Sequence, residues 1–286
     1  MRTVSAFVRL SRPHFLLGGV LLFAVGAFSG ENVDAVRYAI AQVMVTAAQI
    51  TAHYVNEYAD VEVDSHVTNR TFFSGGSGVL TADIFDPRVA RHAASISSAV
   101  AVGTAAIVAT YSIPVAMLGL ATLAVSWAYS MPPVRLLDTG LGELATTLVV
   151  AAAVPLIGSL AQGGSPSASL WWSIAILAPI HFAMMLAFEI PDLETDAEAG
   201  KRVLAVRIGR ASTIWLMVLL VVAAGIVAAV AGLTGAITAP AAWGVLAGGV
   251  PVLIAAAGLR KNNYPVLTAA AVATLVVAGV ALLVGS

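Results

Sequence analysis

A succession of apolar runs, each close to the ~20 residues that an α-helix needs to cross a bilayer, limits this chain more than any other feature. Nine of them fall at about 13–29, 36–55, 89–109, 113–131, 141–160, 170–189, 212–231, 241–258 and 265–284. In hydrocarbon every backbone N–H and C=O must be satisfied within its own segment, so continuous apolar runs of this length become helices. The chain is 59% hydrophobic over 286 residues with mean hydropathy +0.94, more than one soluble core can absorb. The expectation is an all-α polytopic membrane protein of about nine transmembrane helices, forming a single domain over 1–286. Arg2, Arg9 and Arg12 precede the first run as they would in a signal peptide, but no small-x-small cleavage site follows, so the run reads as the first helix.

Alternate loops differ sharply in charge. One side collects Arg2, Arg9, Arg12, Arg70, Arg88, Arg91, Arg135, Lys201, Arg202, Arg207, Arg210, Arg260 and Lys261, while the other keeps only Arg37. The positive-inside rule then puts the N-terminus in the cytoplasm of a cell-membrane protein and the C-terminus outside. The outer connections, such as 162–166 and 232–240, are short and rich in Gly, Ser and Pro. The inner loops at about 56–88 and 189–211 are long and charged, which is where chemistry is expected.

Only 10% of the residues are charged, yet Glu57, Asp60, Glu62 and Asp64 follow directly on the second run. Asn56, Asp60 and Asp64 are spaced i, i+4, i+8, which stacks them on one face if the helix continues. After the sixth run, FEIPDLETDAEAGKRVLAVRIG places Asp192 and Asp196 four apart, with Glu189, Glu194 and Glu198 around them. The same 136-residue offset relates Asn56 to Asp192 and Asp60 to Asp196, the mark of an internal repeat around one shared site. One such cluster alone reads as a solvated turn where a helix leaves the membrane. Two in the same register on one side favour paired metal-binding walls, because stacked carboxylates repel unless a cation lies between them. Mg²⁺ suits oxygen ligands, and phosphate oxygens of a substrate commonly complete its shell.

Arg70, six residues after Asp64, and Lys201, five after Asp196, are then candidate diphosphate contacts. Arg88, Arg91, Arg260 and Lys261 read as topology signals or contacts to anionic headgroups. Ser74-Gly75-Gly76-Ser77 fits either a backbone N–H cradle for anions or a flexible turn. Tyr129-Ser-Met-Pro-Pro-Val-Arg135 ends the fourth run at the same face, with Tyr129 either an interfacial aromatic or a site residue. Glu143 reads as an acid favouring a helix N-terminus. The five histidines show no ligand spacing, which argues against zinc or haem. The chain has no cysteine, so disulfides and thiolate chemistry are excluded.

The N-x-x-x-D-x-x-x-D and D-x-x-x-D motifs, the nine runs and the string PDLETDAEAGKRVLAVRIG resemble the UbiA superfamily of intramembrane aromatic prenyltransferases over essentially the whole chain. SGGSGVL and YSMPPVRL…GLGE resemble its quinone- and lipid-forming branch, including the naphthoate prenyltransferases. Many members have Asn-Asp where this chain has Asn56-Glu57, which leaves the role of Glu57 open. The resemblance implies a helical ring around a central cavity capped by the two acidic loops. It implies two Mg²⁺ ions held by Asn56, Asp60 and Asp64 on one wall and Asp192 and Asp196 on the other, binding an isoprenyl diphosphate. Arg70 and Lys201 would neutralise its remaining charge, and Tyr129 and Arg135 would contact the diphosphate or the acceptor. The four aspartates Asp60, Asp64, Asp192 and Asp196 would be the catalytic set.

The expected partners are an isoprenyl diphosphate, an aromatic or lipid acceptor and membrane lipid, with no nucleic acid. Transfer to a glycerol-phosphate lipid is the nearest alternative. A secondary transporter is the rival from another class, although transporters place coupling acids near the midplane, whereas these acids crowd one edge beside Lys and Arg. A non-catalytic scaffold is a third reading.

Overall fold

The computed structural model describes residues 2–67, 70–260 and 263–285; Lys261, assigned above to the inner face, lies outside them. The chain is 78% helical, with no strand among the described residues. Its helices are α1 (Arg2–Leu10), α2 (Pro13–Ala27), α3 (Ala35–Ala59), α4 (Val61–Asp64), α5 (Pro87–Ala109) and α6 (Ile113–Ser130) in the first half. Then come α7 (Gly142–Thr147), α8 (Val154–Ala161), α9 (Ala168–Glu198), α10 (Leu204–Ile208), α11 (Arg210–Leu233), α12 (Ala239–Ala257) and α13 (Tyr264–Gly285). A π-helical turn, Leu148–Ala153, joins α7 to α8 in one span just ahead of Pro155, whose missing N–H loosens the hydrogen-bond ladder there.

Seven spans are long and apolar enough to cross a membrane among the described residues, and α1 with α2, bent by 45° between them, make an eighth. The bend falls where Arg12 takes a left-handed conformation (φ 49°) before Pro13, a residue that disfavours helix in the position ahead of it. The run at 36–55 becomes α3, which at 25 residues is long enough but is less apolar than those seven. Gln49, His53 and Asn56 explain this, since these polar side chains of α3 face an internal cavity. The count of about nine is therefore approximate on apolarity.

Packing follows the small residues. Gly26 of α2 and Gly158 of α8 cross so closely that a Cβ on Gly26 would fall on the Pro155 carbonyl and one on Gly158 on the Phe23 carbonyl. In the first half α3 packs against α5 and α6; in the second α9 packs against α11 and α13, and α11 against α12. Contact of α13 with α2 closes the ring. The ring encloses a cavity of about 510 Å³ whose walls come from both halves.

Candidate active site

The first acidic wall grows from the end of α3. The helix stops at Ala59, Asp60 is its C-cap (φ −105°, ψ 7°), and the single turn of α4 carries Asp64. The expected continuous i, i+4, i+8 stack is thus interrupted at Asp60, although the Asp64 N–H still donates to the Asp60 carbonyl at 2.8 Å. Asn56 Nδ2 donates to Asp60 Oδ2 at 2.9 Å and lies 3.3 Å from Ser130 Oγ, tying α3 to the end of α6.

The second wall is the last turns of α9, which carry Asp192 and Asp196 without a break to Glu198. The sequence Ala199-Gly200-Lys201 then reverses the chain. Gly200 adopts φ +75°, the Gly200 N–H donates to the Ala197 carbonyl at 3.1 Å, and the Lys201 N–H donates to the Asp196 carbonyl at 2.9 Å. This is a Schellman C-cap, whose left-handed position glycine occupies at least cost. It folds Lys201 back over Asp196.

Lys201 joins the two walls. Its Nζ lies 3.3 Å from Asp60 Oδ2 and 3.4 Å from Asp196 Oδ1, and all three side chains are buried. Burial alone would lower the Lys201 pKa, but Asp60, Asp196 and Asp64 outweigh it and raise the value, holding the ammonium charged. Burial, and then the charge of Asp60, pushes Asp64 up to about 6. Asn56, Asp60, Asp64, Tyr129, Asp192, Asp196 and Lys201 all line the one cavity.

Arg135 and Arg70 stand differently. Arg135 reaches Asp60 Oδ1 with a guanidinium nitrogen at 3.6 Å while its Nε binds Asp138 at 2.7 Å, so it sits beside the first wall. Arg70 is exposed and does not line the cavity; it donates to the Asp64 carbonyl at 3.0 Å and pins the chain that follows α4.

Glu57 is buried and engaged away from the cavity. Arg12 Nε lies 2.8 Å from its Oε1, and Ser77 gives it both the backbone N–H and the hydroxyl at 2.6 Å each. Arg9 holds the Ser77 carbonyl at 2.9 Å. Ser74 N–H is taken by Thr71 Oγ1 at 3.0 Å, and Gly75 and Gly76 line the cavity together with Asp192. Two amides of the Ser74–Ser77 stretch are therefore engaged with groups of the protein, and the stretch runs as a strap along the cavity wall.

Below the strap lies an aromatic lining. Phe15 meets Phe73 and Phe188 at 6.0 and 5.7 Å between ring centroids, and Phe73 stacks on Phe188 at 6.0 Å with 7° between the planes. Such a surface accepts apolar tails and flat rings and excludes water. Arg12, His53 and Glu189 also line the cavity and were not singled out by spacing. The offset that relates the aspartates also pairs His53 with Glu189, a signal present in the sequence.

The donor set suits a hard cation. Asp60 Oδ1 and Asp192 Oδ1 are buried without a hydrogen-bond donor among the described residues, and every candidate ligand offers oxygen. Among the described residues no three carboxylates or imidazoles close a metal site alone. Further oxygens from a phosphorylated substrate would complete one.

Comparisons with known proteins agree with the architecture. The chain is 29% identical over 225 residues to a lycopene elongase/hydratase of Haloarcula japonica, covering 74% of this chain and 70% of that protein. It is 26% identical over 216 residues to the 1,4-dihydroxy-2-naphthoate octaprenyltransferase of Bacillus subtilis, covering 73% and 68%. The fold matches a UbiA homolog from Archaeoglobus fulgidus, solved bound to GPP and Mg²⁺, with TM-score 0.71 at 17% identity over 98% of this chain and 99% of that one. Residues 15–275 match the family description directly, and the chain belongs to the UbiA prenyltransferase family.

Proposed function

We propose that this integral membrane protein transfers an isoprenyl group from a polyprenyl diphosphate to an aromatic, quinone-precursor acceptor, with Mg²⁺ assisting diphosphate release. The observation that carries the reading is the meeting of Asp60 and Asp196, from opposite halves of the chain, around one buried ammonium in the cavity wall. Asn56, Asp60 and Asp64 on one side and Asp192 and Asp196 on the other would hold two Mg²⁺ ions. Bound magnesium supplies Lewis-acid stabilisation of the departing diphosphate.

The protein's own groups do the rest. Lys201 and Arg135 bring positive charge to the diphosphate, where preorganised cations favour charge developing on the leaving oxygen. Arg70 serves the same end indirectly by fixing the backbone at Asp64. Phe15, Phe73 and Phe188 hold the tail and shield the allylic carbon from water as it gains cationic character. Tyr129 orients the acceptor. The aromatic lining and the likeness to a naphthoate prenyltransferase support an aromatic acceptor over a glycerol-phosphate lipid. The distribution of Arg and Lys supports a cytoplasmic N-terminus and cytoplasmic acidic loops, and the helices belong to one domain over 1–286.

Purified protein in detergent, given geranylgeranyl diphosphate and Mg²⁺, releases diphosphate, and mass spectrometry finds prenylated 1,4-dihydroxy-2-naphthoate. Absence of Mg²⁺-dependent diphosphate release overturns the reading. Prenylation of a glyceryl phosphate lipid in place of the naphthoate overturns the acceptor assignment alone.

A further inference from the structure

One turn deeper than the acidic rim, Glu189 lies at the cavity wall with a second buried acid, Glu143, and neither has a part in the metal and diphosphate reading. Glu189, Asp192 and Asp196 are spaced i, i+3, i+7, so they share one stripe of α9. At 1.5 Å per residue Glu189 sits about 4.5 Å further in than Asp192. Glu189 lines the cavity, and Glu143 is buried on α7 beside it. Both acids also accept from the start of α10: Glu143 Oε1 from the Leu204 N–H at 2.9 Å, Glu189 Oε2 from the Ala205 N–H at 3.0 Å. Glu143 Oε2 is buried and finds no N–H or O–H donor in the rest of the described protein.

A carboxylate has no proton to give. With the two carboxyls held side by side by consecutive amides, the buried Glu143 Oε2 is satisfied by one proton held between the acids, the arrangement by which buried like charges avoid repulsion. Such a pair keeps one negative charge and can take a second proton. Capping α10 needs only two acceptor oxygens, which two glutamines would supply; it gives no reason to press two acids together. Tyr129 from α6 lies within electrostatic reach of both acids, and Asp196 from α9 within reach of Glu189.

We propose that Glu189, paired with Glu143, is the proton acceptor of the transfer. The proposal rests on the prenyl-transfer reading above. With the diphosphate at the aspartate rim, its allylic carbon points one turn inward, to the level of Glu189. The allylic C–O bond breaks and its electron pair leaves with the diphosphate. An electron pair of the acceptor forms the new bond to the allylic carbon. The proton that this bond displaces from the acceptor carbon or hydroxyl passes to the Glu189 carboxylate, leaving the pair neutral.

The test separates transfer from ionisation. Glu189→Gln keeps an oxygen for the Ala205 N–H but cannot take the proton. Wild type and variant are compared in detergent with geranylgeranyl diphosphate, Mg²⁺ and whichever of 1,4-dihydroxy-2-naphthoate, lycopene and geranylgeranylglyceryl phosphate the wild type prenylates. The expected result is diphosphate release within about threefold of wild type, appearing as geranylgeraniol, with prenyl transfer down about 100-fold, the scale of a lost general base. Transfer at the wild-type rate overturns the proposal. So does an equal fall in release and transfer, which assigns the pair to holding α10. Failure of the wild type to release diphosphate sinks the prenyl-transfer reading instead, so the two are told apart.

Discussion

Asp60 and Lys201 form a buried ion pair, 3.3 Å long, between the first acidic wall and the turn that closes the second. Removing one partner of a buried pair leaves the other charge uncompensated, a loss of about 3–5 kcal/mol where burial is complete. Lys201→Met should therefore lower the melting temperature of the metal-free protein, and Mg²⁺ should restore more stability to the variant than it adds to wild type. Equal melting temperatures for the two metal-free proteins would contradict this.

The same lysine is expected to contact the diphosphate. A hydrogen bond to a charged group is worth about 1.5–3 kcal/mol, and each 1.4 kcal/mol is about tenfold in affinity. Lys201→Ala should raise KM for geranylgeranyl diphosphate by about 10- to 100-fold and leave KM for the acceptor nearly unchanged. Arg70→Ala, at an exposed position outside the cavity, should raise it far less. Steady-state kinetics on both substrates decide the point, and equal effects on the two would refute the assignment.

Asp60→Asn and Asp196→Asn keep shape and lose charge. Each should reduce Mg²⁺-dependent turnover by about 100-fold or more, the scale on which electrostatic stabilisation of a transition state is lost. Circular dichroism should remain helical in both. Retention of most activity by either protein would point to a scaffold role.

Gly200 is held at φ +75° with open space around its missing Cβ. Gly200→Ala meets no clash, so its cost is conformational, about 1–2 kcal/mol for a side chain in the left-handed region. The strained turn should also misplace Lys201. A modest drop in melting temperature together with a raised diphosphate KM is the expected pattern, and unchanged KM would separate the cap from the site.

Glu57 is occupied by Arg12 and Ser77. Glu57→Gln should speed amide hydrogen exchange in the strap at 74–78 while leaving the Mg²⁺ concentration for half-maximal activity unchanged. A large shift in that concentration would make Glu57 a metal ligand.

Local rules made part of this site readable. Helices follow from apolar length, and the equal offsets of Asn56, Asp60, Asp192 and Asp196 announce two walls before any contact is known. The break at Asp60 was hidden, because residue spacing does not say where a helix gives way to a separate turn. Arg70 looked well placed because it is near Asp64 in the chain, yet the loop turns it onto the backbone at the surface. The partners of Glu57 and Glu189 arrive from distant parts of the chain, and no i, i+4 argument reaches them. Charge without a neighbour of opposite sign, as at Glu189, was the available clue.

At 31 residues α9 is about 46 Å long, against roughly 30 Å of hydrocarbon. One helix is thus rooted among acyl chains and carries its carboxylates to the edge of the water. An amphiphile with a doubly charged head and a greasy tail can be gripped along that helix with each half in the surroundings it already prefers. Neither half need change solvent before the bond between them is cut.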